Sequence, residues 1–538
     1  MYYDYYQITV GENNDFVTKS INSINLAMSP LQEVILMHLK ELAYYVLELE
    51  KFGASNEIIK ESIIEAISGL ITNVDYNHKK FQKLIVTLAQ DLNEAKGLYV
   101  RLCEKNYQKI VILKSALKTS QEFDIENVIK RGERIYVKRI ASYDSEQKNF
   151  FDVILFLIKN LCLKIIQIKS YKKDYQTTYD AILKLLNVIS FHNITNEEVI
   201  TIIEECNTEY SNIIRKLSDA QEEKFGKREP VYISFTPRNG KAILVSGIDM
   251  TQLEAVLKAT KNRGVDVYTH GTIMLMAHTL EKFRKYPNLA GHFGKNADTS
   301  LFDFAAFPGA ILMTRYLFQK VDYLYRGRLF TTDSFAPSGI IKIKNCDFEP
   351  LIQASLKAKG FNKKQQEVIL QVGFRQKELE DKIEEIVKKL QKNEIKHFFI
   401  IGLFRHKNDY KEYFNKFFAL MPKDCYALSL SHEQSEENIL HIDSFYDYLL
   451  IYKILEKLDT IKPLEQLKIT IFITKCDEYT ITNIINFFNR GIKNVYLCKC
   501  LPSLINPSTL ETLHKTFGVK EITNPQDDLK NTLGENYV

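Results

Sequence analysis

Gly264-Val-Asp-Val-Tyr-Thr-His-Gly-Thr-Ile-Met-Leu-Met-Ala-His278 changes its hydrophobic period partway along. A short β-prone run over 265–269 gives way to an apolar stretch too long for a strand, which predicts a strand at 265–269 and a helix at 273–284. The same pair of signals stands just upstream, as a strand over 242–246 and a helix over 251–261. Two further short apolar runs, 310–314 and 328–332, read as strands. Strands that alternate with helices predict a parallel sheet with crossover helices. A second unit of this kind begins near residue 365. A charged amphipathic helix over 375–391 feeds the apolar strand His397-Phe-Phe-Ile-Ile401, and 426–431, 468–474 and 494–498 supply more strands.

The chain upstream behaves differently. From residue 25 to about 220 the apolar positions recur every three or four residues, as in Ile35, Leu36, Leu39, Leu42, Ala43 and Val46. Segments 76–104, 147–168 and 195–217 repeat that spacing, and no proline occurs between Pro30 and Pro230. The predicted architecture is an N-terminal helical bundle domain, 1–228, followed by two Rossmann-like parallel-sheet α/β domains, 229–365 and 366–538.

Composition narrows the function classes. In 538 residues, 72 basic and 67 acidic side chains leave a net charge of +5, too balanced to argue for nucleic acid. Lysine-rich stretches such as Lys169 to Lys173 read as solvated helix faces. No apolar run is long enough for a membrane span, and the first residues lack the basic and apolar regions of a signal peptide. A cytoplasmic location without membrane attachment is the resulting expectation.

Local motifs offer little chemistry. The eight cysteines include no C-x-x-C pair, so neither a disulfide framework nor a zinc site is predicted. Cys498-Lys-Cys500 comes nearest to metal-ligand spacing, but two thiols do not complete a four-ligand site and packing is the expected role. Gly294-Lys-Asn-Ala-Asp-Thr-Ser300 lacks the leading glycine and the Gly-Lys-Ser/Thr ending of a phosphate loop. His270 and His278 flank an apolar stretch with no third ligand, which suits hydrogen-bonded scaffold residues better than a metal site.

Four stretches together carry a resemblance: 264–278, Phe307-Pro-Gly-Ala-Ile-Leu-Met-Thr314, Arg328-Leu-Phe-Thr-Thr332, and Gly491-Ile-Lys-Asn-Val-Tyr-Leu497 with Leu501-Pro-Ser-Leu-Ile-Asn-Pro507. In content, order and spacing they resemble the hybrid-cluster protein family, also called prismane or hydroxylamine reductase. The resemblance implies a helical domain and two Rossmann-like domains. It also implies a 4Fe-4S cubane near the N-terminus and an iron–sulfur–oxygen hybrid cluster where the domains meet. The implied activity is reduction of hydroxylamine or nitric oxide.

Carried over position by position, the family's cluster ligands are replaced. Tyr3 and Tyr6 stand where the opening cysteine pair belongs, and the first cysteine of the chain is Cys103. In the turn Ser246-Gly-Ile-Asp249, Ile248 replaces the family histidine. Thr272 replaces the glutamate that follows Thr-His-Gly. Leu317, Phe404, His432 and Phe445 replace cysteines, and Asp477 replaces the last glutamate, with Tyr479 in place of a lysine beyond it. Loss of a cluster leaves a cavity, and an unfilled one costs roughly 24 cal/mol per Å3. Ile248, Leu317, Phe404 and Phe445 are bulky enough to fill such a space. A residual metal at His432 and Asp477 would have only two firm ligands.

The reading from sequence is therefore no cofactor, no catalytic residue, and a non-redox pseudoenzyme with a structural, regulatory or partner-binding role. Its protein partner would be a second copy or an active paralogue. The alternatives are a divergent hydroxylamine or nitric oxide reductase, and a metal-free small-molecule binder at the interdomain cleft.

Overall fold

The computed structural model describes residues 8–10, 16–18 and 30–534, except 72–77, 114–124, 143–144, 191–194, 295–299, 315–322, 334, 337–338, 363–365, 374–375, 393, 403–407, 430–437, 442–447, 461, 475, 477–478, 501–504 and 506. A short antiparallel ribbon, β1 (Ile8–Val10) and β2 (Phe16–Thr18), precedes the helices. The stretch predicted to be helical is α1 (Pro30–Glu50), α2 (Glu57–Ile71), α3 (His78–Lys105), α4 (Ile125–Ser142), α5 (Ser145–Lys169), α6 (Gln176–Val188) and α7 (Asn196–Phe225).

Their ends follow from side-chain chemistry. Pro30 opens α1, where its missing N–H would have no intrahelical partner. Thr195 and Glu198 cap α7 reciprocally, and α7 stops at Gly226, whose φ is +85°. From Phe150 to Ile168, α5 is apolar on nearly every side, and a helix of that kind must be buried. It is the central helix, in contact with α2, α6 and α7 and with two helices of the C-terminal region. Among the described residues no helix is long and apolar enough to cross a membrane.

The next region holds β3 (Val231–Ser234), β4 (Lys241–Ser246), α8 (Met250–Ala259), β5 (Val265–His270), α9 (Thr272–Ala277), α10 (Glu281–Arg284), β6 (Leu289–His292), α11 (Ser300–Ala306), β7 (Ala310–Met313), α12 (Tyr323–Arg326), β8 (Leu329–Thr331), β9 (Ile341–Lys342) and α13 (Glu349–Lys357). Six strands form a parallel sheet in the order β6-β5-β4-β7-β8-β9. Numbered along the chain this is 3-2-1-4-5-6, the doubly wound order, with its switch point between β4 and β7. The helix predicted over 273–284 is broken into α9 and α10. At the break Leu280 bridges Arg228, and the Glu229 N–H donates to the Thr279 carbonyl at 2.9 Å, so the backbone there serves an extended segment.

The final region runs through β10 (Ile369–Val372), α14 (Gln376–Gln391), β11 (His397–Ile401), α15 (Asn408–Leu420), β12 (Cys425–Ser429), β13 (Ile439–His441), α16 (Tyr448–Asp459), β14 (Ile469–Ile473), α17 (Thr480–Asn489), β15 (Asn494–Leu497), α18 (Pro507–Phe517), β16 (Lys520–Glu521) and α19 (Pro525–Leu533). β10 pairs antiparallel with β3. The other six strands make a second parallel sheet, β13-β12-β11-β14-β15-β16, with the same doubly wound order. All five residues of β11 and all five of β14 are buried, as expected for strands covered on both faces.

Polar contacts fasten α17 to the helical region. Asn160 Nδ2 donates to Thr482 Oγ1 at 2.6 Å, and Asn207 Nδ2 to the Thr482 carbonyl at 3.2 Å. Asn489 Nδ2 donates to the Glu204 carbonyl at 2.8 Å. Asn160→Ala strands the buried Thr482 hydroxyl and should cost about 1–3 kcal/mol. Asn207→Ala should cost less, because Asn207 Oδ1 has no hydrogen-bond partner among the described residues and its removal relieves that burial. Denaturant unfolding of the two variants checks both the sizes and their order.

Candidate functional site

In doubly wound sheets ligands bind outside the carboxyl ends of the strands, beside the switch point. In the first sheet that edge carries Ser246, Gly247, Ile248 and Asp249 after β4, Thr272 after β5, and Thr314 after β7. Gly247 is required there: its φ is +110°, and a Cβ would lie 2.3 Å from the Thr314 carbonyl oxygen. The Thr314 N–H donates to the Ser246 carbonyl at 2.8 Å, and Asp249 caps α8 through the Thr251 and Gln252 amides.

The histidines at this edge are tied into hydrogen bonds. His270 Nδ1 lies 3.0 Å from Ser246 Oγ, and its Nε2 lies 3.3 Å from Asp303 Oδ2. His278 Nε2 lies 2.9 Å from Thr269 Oγ1, which also reaches His292 Nδ1 at 2.8 Å. Burial pushes His278 down to about 4, so it stands neutral. His270 and His278 have separate partners and do not converge on a shared ligand.

Ile248, expected from the sequence to stand at the family histidine's position, is buried, with only 5% of it exposed. Its neighbours are not the core of its own sheet. It joins the apolar cluster that runs through α1–α7 and the second sheet, together with Phe335, whose ring meets Phe81 edge-on at 5.5 Å. Ile273, next to Thr272, packs against both this cluster and the core of the first sheet. Thr272 is half-buried at the start of α9. Tyr3, Tyr6, Leu317, Phe404, His432, Phe445 and Asp477 lie outside the described residues.

At the matching edge of the second sheet the structure corrects the reading of the cysteines. Cys500 does not serve packing alone: it is paired with Cys476, 24 residues upstream, with Cα atoms 5.5 Å apart. Cys498 is buried at the end of β15. The remaining thiols are Cys103, Cys162, Cys206 and Cys425, on four separate elements, and Cys346, between β9 and α13. Burial pushes Cys206 and Cys425 up to about 12, so both are neutral thiols. The sequence holds the signal for the Cys476–Cys500 pair, but it becomes readable only when the neighbouring strands are known.

The Prismane/CO dehydrogenase family model matches residues 23–432. The hydroxylamine reductase of Syntrophobacter fumaroxidans is 24% identical over 522 residues, covering 94% of this chain and 95% of that protein. That of Acidiphilium cryptum is 25% identical over 523 residues, covering 94% of each. That of Actinobacillus succinogenes is 29% identical over 343 residues, covering 60% of this chain and 62% of that protein. A solved structure titled for NiZn[Fe4S4] and NiNi[Fe4S4] clusters in alpha subunits of acetyl-CoA synthase/carbon monoxide dehydrogenase is 11% identical. It has a TM-score of 0.48 and covers 94% of this chain and 81% of that one.

The family match overturns the expectation of no cofactor: the matched family is one of iron–sulfur proteins, and the curated relatives over nearly the whole chain are named for a reductive reaction. The group implied for this chain is an iron–sulfur cluster. The donors among the described residues do not fit it. No three His, Cys, Asp or Glu side chains among them stand close enough to hold a metal ion. The buried thiols Cys103, Cys162, Cys206 and Cys425 stand on four different elements, α3, α5, α7 and β12. On the match over 23–432, the chain belongs to the Prismane/CO dehydrogenase family.

Proposed function

We propose that this protein does not carry out the reaction its relatives are named for, and serves as a structural, regulatory or partner-binding member of the family. The partner would be a second copy of the chain or an active paralogue. The observation that supports this reading is Ile248, buried in an apolar cluster shared by the helices and the second sheet. An alkyl side chain offers no electron pair to a metal and no proton to a substrate. Packed where it is, it also excludes water and small polar molecules from that point.

The test is turnover. The protein is purified anaerobically, treated with iron and sulfide, reduced chemically, and assayed for ammonia formed from hydroxylamine, with bound iron counted in the same sample. The expected result is no ammonia above the protein-free blank, whatever iron is retained. Sustained turnover that scales with bound iron would overturn the proposal.

A further inference from the structure

Strands β14 and β15 run parallel with a constant offset: Thr470 pairs with Asn494, Ile471 with Val495, Phe472 with Tyr496 and Ile473 with Leu497, each 24 residues apart. The ladder continues past the last pair, because the Cys498 N–H donates to the Ile473 carbonyl at 2.8 Å. Extended by three residues, the same offset sets Cys476 opposite Cys500. Their Cα atoms are 5.5 Å apart and their sulfur atoms are in bonding contact. That separation lies within the range a disulfide requires. The register of two buried strands therefore fixes the pair, and it recurs at no other pair of cysteines in the described chain.

We propose that Cys476 and Cys500 are a reversible dithiol–disulfide pair, a thiol-oxidation site at the carboxyl edge of the second sheet. The two residues differ in access. Cys500 is partly exposed and follows the exposed Lys499, whereas Cys476 is buried. Cys500 is accordingly the attacking thiol and Cys476 the resolving one. The oxidant is a low-molecular-weight disulfide. The Cys500 thiolate attacks one of its sulfurs, forming a mixed disulfide and releasing one thiolate. The Cys476 thiolate then attacks the Cys500 sulfur and releases the second. The pair gives up two protons and two electrons, and the small disulfide is reduced to two thiols.

The pair also has a structural consequence. Cys476 stands four residues before α17, the helix fastened to Asn160 and Asn207, and Cys500 stands on the exit from β15. Oxidation ties the entrance of α17 to that exit, and reduction leaves the two connected only through the chain between them.

Trypsin can report the state directly, because Lys475, Arg490, Lys499 and Lys515 separate the cysteines into different peptides: 476–490, 494–499 and 500–515. The folded full-length protein is reduced with dithiothreitol, freed of it, exposed to oxidised glutathione, alkylated and digested. The expected product is 476–490 disulfide-linked to 500–515, with six of the eight cysteines alkylated. Cys498→Ser should leave that link in place, and Cys500→Ser should abolish it. Renewed dithiothreitol treatment of the folded protein should return all eight thiols. Free thiols at 476 and 500 after oxidation, or a link from 476 to 498, would overturn the pairing. A link that survives dithiothreitol in the folded protein would overturn its reversibility.

Discussion

Acidification from pH 7 to pH 4 should unfold this protein, and three buried histidines drive it. Burial pushes His38, His278 and His397 each from 6.5 down to about 4. His38 Nδ1 donates to the Val34 carbonyl at 2.9 Å, and His397 Nε2 lies 2.7 Å from Thr470 Oγ1. All three are neutral in the folded chain. Their folded pKa values lie below the unfolded ones, so the unfolded chain binds more protons throughout that interval. The stability they contribute is complete above about pH 6.5 and is lost as pH falls toward 4. Each shift corresponds to about 3 kcal/mol and the three together to about 10 kcal/mol. That is comparable with the roughly 5–15 kcal/mol of a whole folded domain. Asp91 and Glu50, which burial holds above the usual carboxylate range, act in the opposite direction and offset part of the loss. The measurement is far-UV circular dichroism against pH. The midpoint is expected between pH 4 and 6.5, and His278→Gln and His397→Gln should each move it lower. A chain still folded at pH 4, or a midpoint indifferent to both substitutions, contradicts this account.

Those histidines mark a limit on what sequence alone conveys. Buried parallel strands are legible because both faces are covered and the run is continuously apolar, as in His397-Phe-Phe-Ile-Ile401. Leu289-Ala-Gly-His292 and Lys520-Glu521 carry no such run, yet each pairs at the outer edge of a sheet. They are strands because a neighbour supplies a template. The continuous helix expected over 273–284 fails for a related reason: the backbone at Leu280 is claimed by Arg228, a partner the local period cannot announce. Contacts such as Asn160 with Thr482 span 322 residues and follow only from the assembled fold. The Cys476–Cys500 pair lies between these extremes. Its offset is written in the chain, but it has meaning only once β14 and β15 are known to be neighbours in register. The cofactor expectation went astray for a different reason. It rested on single ligand positions, whereas the family match extends over residues 23–432.

Ile248→His sets an imidazole into this apolar junction, and it should destabilise the protein by about 3–5 kcal/mol without conferring activity. Removing a buried isoleucine side chain from an apolar cluster forfeits about 2 kcal/mol. The imidazole that replaces it brings two ring nitrogens into an apolar cluster, and leaving them without partners adds about 1–3 kcal/mol. The new ring would be held neutral by burial, as His278 is, so the penalty grows as pH falls below 6.5. Ile248→Val serves as the control, since it keeps the apolar surface and should cost only about 1 kcal/mol. Guanidinium unfolding of both variants, with ammonia formation from hydroxylamine measured on each after iron and sulfide treatment, separates the two ways the position could behave. A large stability loss for histidine, a small one for valine and no turnover from either describe a packed apolar junction. A histidine variant as stable as the native chain would mean that the space around residue 248 is open and polar, and the packing argument for a non-catalytic role would then fail.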